Sequence, residues 1–399
     1  MQLDAGPAAT DEVRRRNTAL VMRLLRDNGS LSRADLARSS GLAKATIGTI
    51  VGLLQRAGAV TEGVTESSGR GRPSTPLVLE GRALAGLGIE INVDYMAVTA
   101  LDLAGRELFF EERPVAAEVP RLSDVLGLVR DVLDRLTEAG VELLGLTIAV
   151  PGMIDRRRGV VVDAPNLGWS DVALADAVRL EIGDGVAVAV DNDANCAARA
   201  ESLRGVAAGL DDFVYLTGTV GLGAGIVCGG EVLRGSRGLA GEVGHLRVGD
   251  DRHHCACGRT GCWEAMVGLR ALAHETGVPV DSGEDPVAYA ERLTRTPGTR
   301  PGLTRVGEAL GSGVAQLAVT LDPGMVVLGG SFVPLGEALI PEVESALAEG
   351  FTGSGCAVAL STLGLHAASV GAAVDALDDV YAGRRSLPVS SMAPVTQPQ

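Results

Sequence analysis

Aromatic residues make up only 3% of this 399-residue chain, and Lys44 is its only lysine. The core must therefore be built from Ala, Val, Leu and Gly, and arginine carries nearly all of the positive charge. No apolar run reaches the length that crosses a bilayer, which excludes a helical membrane span. The first residues, MQLDAGPAATDEVRRRN, lack the apolar centre of a secretory leader, so a cytoplasmic protein with no membrane partner is expected. The six cysteines do not form a dense framework of the kind that staples small secreted domains, and they fit a reducing compartment. A chain this long also exceeds one compact core and predicts two or three domains.

The net charge of −15 conceals an asymmetry. Between Val13 and Glu80, eleven basic side chains stand against five acidic ones, an excess of six, so the rest of the chain carries −21. A basic head on an acidic body predicts an anionic partner for the head alone.

Gly241 to Glu264 reads GEVGHLRVGDDRHHCACGRTGCWE and places His245, Cys255, Cys257 and Cys262 within eighteen residues. Three thiolates and an imidazole are the soft, fourfold donor set that tetrahedral zinc prefers, and with no ligand position left open the site reads as structural. Gly258 and Gly261 sit where the backbone must turn tightly around a small ion. Cys196, Cys228 and Cys356 lie apart among small or apolar neighbours and read as packing residues.

In the head, apolar spacing predicts a helix ending at Asn28-Gly29, a short helix capped by Ser32, a turn at Gly41-Leu42 and a third helix from Ala43 to about Gln55. This is helix-turn-helix order, in which the third helix enters the major groove of double-stranded DNA. Its exposed side offers Lys44, Ala45, Thr46 and Thr49, with Arg33 at the start of the preceding helix, for phosphate and base-edge contacts. Two short apolar segments, Ala59-Val60 and Leu77-Val78-Leu79, flank Gly69-Arg70-Gly71-Arg72-Pro73. They read as a wing whose Arg70 and Arg72 could enter a narrow minor groove.

The body opens with three apolar runs, Leu84–Ile91, Met96–Asp102 and Glu107–Val115. A helix over Leu122–Thr137 and a strand over Leu143–Val150 follow. A loop through Asn166–Trp169 leads to a helix near Val172–Leu180, and a strand over Val186–Val190 stops at Asp191-Asn192-Asp193. A similar series restarts at Phe213. It includes helices over Trp263–Glu275, Pro286–Thr294 and Thr304–Thr320, strands over Met325–Leu328 and Cys356–Leu360, and a last helix over His366–Tyr381. Two similar halves predict a two-lobed, actin-like α/β body with a cleft. The expected division is a disordered stretch over 1–12, an α+β winged helix-turn-helix domain over 13–80, a body over 81–385 and a disordered tail over 386–399. The body's lobes are expected at 81–195 plus the C-terminal helix, and at 196–365.

Gly241-Glu242-Val243-Gly244-His245, Cys255-Ala256-Cys257-Gly258 and Gly261-Cys262-Trp263-Glu264 match, position by position, the signature of the ROK family of repressors, open reading frames and sugar kinases, which the chain resembles from about Arg14 to Tyr381. The head places it with the transcriptional-repressor branch, of xylose or N-acetylglucosamine type, because the stand-alone kinases begin at the first body strand. The resemblance implies a duplicated, ribonuclease H-like body that holds a sugar in its cleft. The matching residues are the Gly152 backbone, Asn192, Asp193, Glu242, His245 and Glu264. Carboxylates, amides and imidazole suit a ring of hydroxyls that both donate and accept. His245 would bind zinc through one ring nitrogen and a sugar hydroxyl through the other, so that the ion fixes its tautomer.

Asp193 matches the kinases' catalytic base. Thr217-Gly218-Thr219-Val220-Gly221-Leu222-Gly223-Ala224-Gly225 matches one phosphate cradle, and Gly329-Gly330 resembles the nucleotide-side turn. The other cradle departs from the pattern. Where the kinases have Asp-x-Gly-x-Thr, this chain has Glu90-Ile91-Asn92-Val93-Asp94, with a side chain in place of glycine and a carboxylate where a hydroxyl would meet phosphate. No catalytic residue is therefore expected. The reading is a sugar-responsive regulator, a repressor of carbohydrate uptake or catabolism genes, holding structural Zn2+. It would bind operator DNA as a homodimer or dimer of dimers and take glucose, xylose or an amino sugar as effector. The alternative is an ATP-dependent sugar kinase with a regulatory head.

Overall fold

The computed structural model describes residues 7–63, 75–115, 119–183, 185–219, 221–350 and 355–388. Arg70 and Arg72, the end of the tail and the first six residues lie outside them.

The head comprises α1 (Pro7–Asn28), β1 (Ser30–Leu31), α2 (Arg33–Ser40), α3 (Lys44–Arg56), β2 (Val60–Glu62) and β3 (Leu77–Leu79). Helix α1 starts at Pro7, inside the stretch over 1–12 expected to be disordered, with proline in the first helical position. Ser32 caps α2 through a reciprocal pairing with Asp35, and Gly41 ends it in the left-handed conformation. The apolar faces of α1 (Val21, Met22, Leu25), α2 (Leu36) and α3 (Ile47, Ile50, Val51, Leu54) close on Leu77 and Leu79. The three strands form one small antiparallel sheet in the order β1-β3-β2.

The first lobe is built on β4 (Leu84–Ile91), β5 (Tyr95–Asp102), β6 (Glu107–Pro114), β7 (Glu142–Val150) and β11 (Ala187–Asn192), with α4 (Leu122–Glu138) and α5 (Leu174–Ile182) beside them. An additional small sheet of β8 (Met153–Asp155), β9 (Val160–Ala164) and β10 (Trp169–Val172) occupies the stretch expected to be loop. Helix α6 (Asp193–Arg204) leads into the second lobe, of β12 (Phe213–Gly218), β13 (Leu222–Cys228), β14 (Glu231–Val232), β15 (Met325–Gly330) and β16 (Ala357–Leu360). Its helices are α7 (Glu264–Val267), α8 (Leu269–Thr276), α9 (Pro286–Arg295), α10 (Arg300–Leu321) and α11 (Gly336–Gly350).

The two large sheets have the same order, β6-β5-β4-β7-β11 and β14-β13-β12-β15-β16. In each, three antiparallel strands are followed by two parallel additions. The duplication expected from the restarted pattern is thus present strand for strand.

Two helices expected to be continuous are broken. Gly268 is extended between α7 and α8, and Leu377 separates α12 (Ala367–Ala376) from α13 (Asp378–Tyr381). Glycine lacks the side chain that would favour continuing the first helix. At Leu377 the side chain packs between Gly86 of β4 and the apolar core of the head, in a cluster that also takes in Leu84, Leu103 and Leu144 of the body. Helix α12 lies tight on β4 and α6: a Cβ on Gly88 would fall 2.0 Å from the Ser369 carbonyl oxygen, and one on Gly371 would fall 1.7 Å from that of Cys196. Only glycine permits this approach. The C-terminal helix thereby joins the first-lobe sheet, α6 and the head.

Candidate functional site

The end of β11 and the start of α6 set one wall of the cleft. Asn192 caps α6, its Oδ1 accepting from the backbone of Ala194 (2.9 Å) and Asn195 (3.2 Å), while its Nδ2 donates to the Gly152 carbonyl at 3.1 Å. One amide hydrogen remains for a ligand. Asp193 follows as the first helical residue, half-buried, with its carboxyl set deep in the wall. Burial pushes that carboxyl up to about 6 and the Glu242 carboxylate adds to the rise, against a bond from the Ala194 N–H.

The opposite wall is carried by the segment after β14. Glu242 is raised by burial and by Glu264, with His245 opposing. The Glu264 Oε2 accepts from the Leu222 backbone at 3.4 Å and fills the space that a side chain on Gly221 would need. Gly152, Asn192, Asp193, Glu242, His245 and Glu264 all line one cavity of about 570 Å³, open to solvent. That volume comfortably holds a monosaccharide. Asp163, Asn166, Thr219 and Arg259 also line it. Thr219 belongs to the stretch read as a phosphate cradle; Asp163, Asn166 and Arg259 were not foreseen, because their place depends on the small sheet β8–β10 and on the path of the cysteine loop.

The cysteine loop forms the floor under His245. The donor atoms of His245, Cys255, Cys257 and Cys262 lie within 4.8 Å of one another. Cys257 and Cys262 Sγ are 3.7 Å apart, close to the edge of about 3.8 Å of a tetrahedron with metal–sulfur bonds of about 2.3 Å. The Nδ1 of His245 faces Cys255 Sγ at 3.9 Å. The residues therefore fit a tetrahedral metal ion and leave Nε2 of His245 as its second ring position. Arg259 donates to Cys257 Sγ at 3.4 Å and lowers the affinity of that thiol for its proton, which favours a thiolate ligand. Trp263 anchors the loop: its indole donates to the Ala309 carbonyl at 2.9 Å and packs where any side chain on Gly313 would collide, 2.1 Å from the ring.

Across Asp193 the cleft continues toward the β4–β5 turn, and here it narrows. Glu90 is buried at 4% exposure, accepting from Tyr95 Oη at 2.8 Å and from the Ser369 backbone at 3.3 Å. Burial pushes its carboxyl up to about 8, outweighing the Tyr95 bond, so at neutral pH it is largely protonated. Asn92 turns its Oδ1 back onto the Val93 N–H at 2.7 Å. Asp94 is raised by burial and by Asp285 of the other lobe. Beside the larger cavity lies a smaller space of about 30 Å³, lined by Glu90, Asn92, Tyr95 and Tyr215 and adjoining that cavity at Asp193, Thr217 and Thr219.

On the head, Lys44, Ala45 and Thr49 are exposed and Thr46 is half-buried, forming a continuous outer face of α3. The Thr49 hydroxyl donates to the Ala45 carbonyl at 3.1 Å, leaving its lone pairs outward. Arg33 lies 3.4 Å from Glu62 with both side chains about half exposed, a contact that solvent screens strongly. The wing arginines, Arg70 and Arg72, lie outside the described residues.

A duplicated five-stranded sheet pair enclosing a cleft, with a Cys-His knot on one wall, defines the actin-like, sugar-kinase-like class of fold. Within that class the chain belongs to the ROK family, whose model matches residues 86–378. It is 31% identical over 352 residues to the xylose repressor of Caldicellulosiruptor bescii, covering 83% of this chain and 87% of that protein. It is 25% identical over 349 residues to the transcriptional dual regulator NagC of Escherichia coli, covering 84% and 86%. Among solved structures, a ROK family transcriptional regulator described as a homologue of the E. coli MLC protein superposes with a TM-score of 0.77 at 25% identity, covering 93% of this chain and 98% of that one. A ROK family glucokinase from Streptomyces griseus, in complex with glucose and AMPPNP, gives 0.62 at 28% identity, covering 74% and 99%. The share of this chain that matches drops by roughly the length of the head when the relative is a kinase. No helix among the described residues is long and apolar enough to cross a membrane.

Proposed function

We propose that this protein is a sugar-responsive transcriptional repressor that binds operator DNA through a winged helix-turn-helix head, as a homodimer, and a monosaccharide through the cleft. The observation that carries the reading is the contrast within the cleft. The wall built from Asn192, Asp193, Glu242, His245 and Glu264 encloses room for a sugar, whereas beside Glu90, whose carboxyl is taken up by Tyr95 and the Ser369 backbone, only about 30 Å³ is left. Relatives named as xylose and N-acetylglucosamine repressors support the same reading.

His245, Cys255, Cys257 and Cys262 would hold Zn2+, which supplies structural cross-linking and a fixed imidazole tautomer. With Nδ1 turned to the sulfurs, Nε2 presents to the cleft as a donor or acceptor for a hydroxyl. Asp193, in place of acting as a base, accepts a hydrogen bond from a sugar hydroxyl. In the head, Lys44, Ala45, Thr46 and Thr49 would face the major groove, with Arg33 at its edge, and Arg70 and Arg72 the minor groove.

The test is a sugar panel read by thermal shift, followed by operator binding with and without the sugar that scores. A melting shift with at least one of glucose, xylose or N-acetylglucosamine is expected, and that sugar should alter DNA affinity. A protein that no sugar stabilises would sink the reading.

A further inference from the structure

Beneath the sugar-facing end of β11 lies a group of four charged side chains that none of the chemistry above employs. Asp191 and Asp375 are each 4% exposed at the side chain, and between them sit Arg156 and Arg234. Arg156 donates to Asp191 Oδ2 at 2.7 Å and, with its other arm, to both oxygens of Asp375 at 2.9 and 2.7 Å. Arg234 donates to the same Asp191 oxygen at 2.8 Å and stands 3.8 Å from Asp375. The remaining oxygens are in use: Asp191 Oδ1 accepts from the Asn192 backbone and from Asn195, and Asp375 from Thr147. Two buried carboxylates without these partners would be costly, so the four groups hold together as a unit.

What singles out the quartet is where each member is mounted. Asp191 immediately precedes the sugar-wall residues Asn192 and Asp193. Arg156 follows β8 and the cleft-lining Gly152 and Met153. Arg234 opens the second-lobe segment that leads to Glu242; its carbonyl accepts from Ala240, and a Cβ on Gly238 of the same segment would meet the Ile154 carbonyl at 2.3 Å. Asp375 sits on α12, two residues before Leu377 enters the head. There Leu377, Val380 and Tyr381 share one core with Val21, Met22 and Leu25 of α1. Arg26 lies over the Tyr381 ring at 4.6 Å, and Arg23 donates to the Tyr381 carbonyl.

We propose that the Arg156–Asp191–Arg234–Asp375 quartet is the coupling element between cleft and head, with Arg234–Asp375 as its switching contact. At 3.8 Å this pair is an ion pair without a hydrogen bond, unlike the three short contacts around it. Arg234 moves with the second lobe, while Asp375 is fixed to the first-lobe sheet. Closure of the lobes on a ligand therefore acts on the two contacts of Arg234, to Asp191 and to Asp375, and the longer one, to Asp375, has no hydrogen bond to hold it. The shift is felt at α12, and through Leu377 and Tyr381 at α1. A ligand alters the head only if the two cleft states differ in such a contact. The inference rests on the sugar-responsive reading above.

The experiment uses the full chain with zinc, and Arg234→Gln and Asp375→Asn variants, with Arg234→Lys as the conservative control. Glucose, xylose and N-acetylglucosamine serve as probes. Sugar binding is measured by calorimetry, and amide exchange across α13 and α1 is measured with and without sugar. In the wild type, the sugar that binds should change exchange in α13 and α1. In Arg234→Gln, sugar affinity should stay within about threefold while the exchange change in α13 and α1 falls by more than half, and Arg234→Lys should restore part of it. Should Asp375→Asn unfold, Arg234→Gln alone decides. An undiminished change at α1 and α13 in an Arg234→Gln protein that still binds sugar would overturn the coupling role while leaving the sugar reading intact. A wild type that binds none of the three sugars would overturn both.

Discussion

The two halves of the cleft share Asp193 yet are built in opposite ways. On the side proposed for the sugar, three carboxylates, an amide and an imidazole face an open volume of about 570 Å³, with Asn192 and Asp193 at a helix start, Glu264 on a backbone N–H and His245 in the Cys-His knot. On the other side, Glu90, Asn92 and Tyr95 turn their polar atoms toward one another and leave about 30 Å³. Polar residues are plentiful in both. The difference lies in whether their hydrogen-bonding capacity is spent internally or kept for a ligand. On the proposed reading, side chains committed to each other, as Tyr95 is to Glu90, act as a plug, and side chains held from behind, as His245 is by the cysteine loop, act as a site.

The comparison can be broken most forcefully at the knot. Cys262→Ser should abolish stoichiometric metal and weaken sugar binding about tenfold or more, because the imidazole loses its fixed orientation, whereas an equally severe change at Glu90 should spare the metal. Metal analysis together with calorimetry checks both, and full sugar affinity without metal would break the link. Next in size, Glu242→Gln should cost about 1.5–3 kcal/mol of sugar affinity, roughly tenfold to a hundredfold, as a charged acceptor is replaced. The matched Glu90→Gln should leave affinity within about twofold. Equal losses from the two would remove the distinction between site and plug.

The third effect is on stability against pH. The Glu90 carboxyl binds its proton more tightly folded, at about 8, than unfolded, at about 4.5. Between those values the folded state holds a proton that the unfolded chain has released, so the Glu90 contribution makes the fold more stable as pH falls through 8 and less stable above it. Melting curves at pH 6 and pH 9 should therefore differ more in the wild type than in Glu90→Gln. Identical pH dependence would show that Glu90 is ionised in the fold. The smallest effect concerns the head: Arg70→Ala with Arg72→Ala should lower the salt slope of operator binding by about one to two, and an unchanged slope would take the wing off the DNA.

Much of this site was legible beforehand, because sulfur chemistry restricts spacing so tightly. His245, Cys255, Cys257 and Cys262 stand together as their sequence implied. The duplicated sheets were readable from apolar runs, since buried parallel strands are nearly continuous in Val, Ile, Leu and Ala. The sheet β8–β10 was not, because its strands are three to five residues long and interrupted by charge. Nor were the breaks at Gly268 and Leu377, of which the second follows from where the head docks. The degraded first cradle was visible as Glu90–Asp94, but its closure depends on Tyr95 and on Ser369, 279 positions away. The Arg156–Asp375 pairing spans 219 positions, and nothing local announces it.

The most direct test of this contrast is to incubate the zinc-loaded protein with ATP, Mg2+ and whichever sugar raises its melting temperature, and to measure sugar phosphate over time. On the repressor reading proposed above, the melting shift should persist and sugar phosphate should stay at the level of the protein-free control. Accumulation of sugar phosphate over many turnovers would contradict it, and would make this chain a kinase that carries a DNA-binding head.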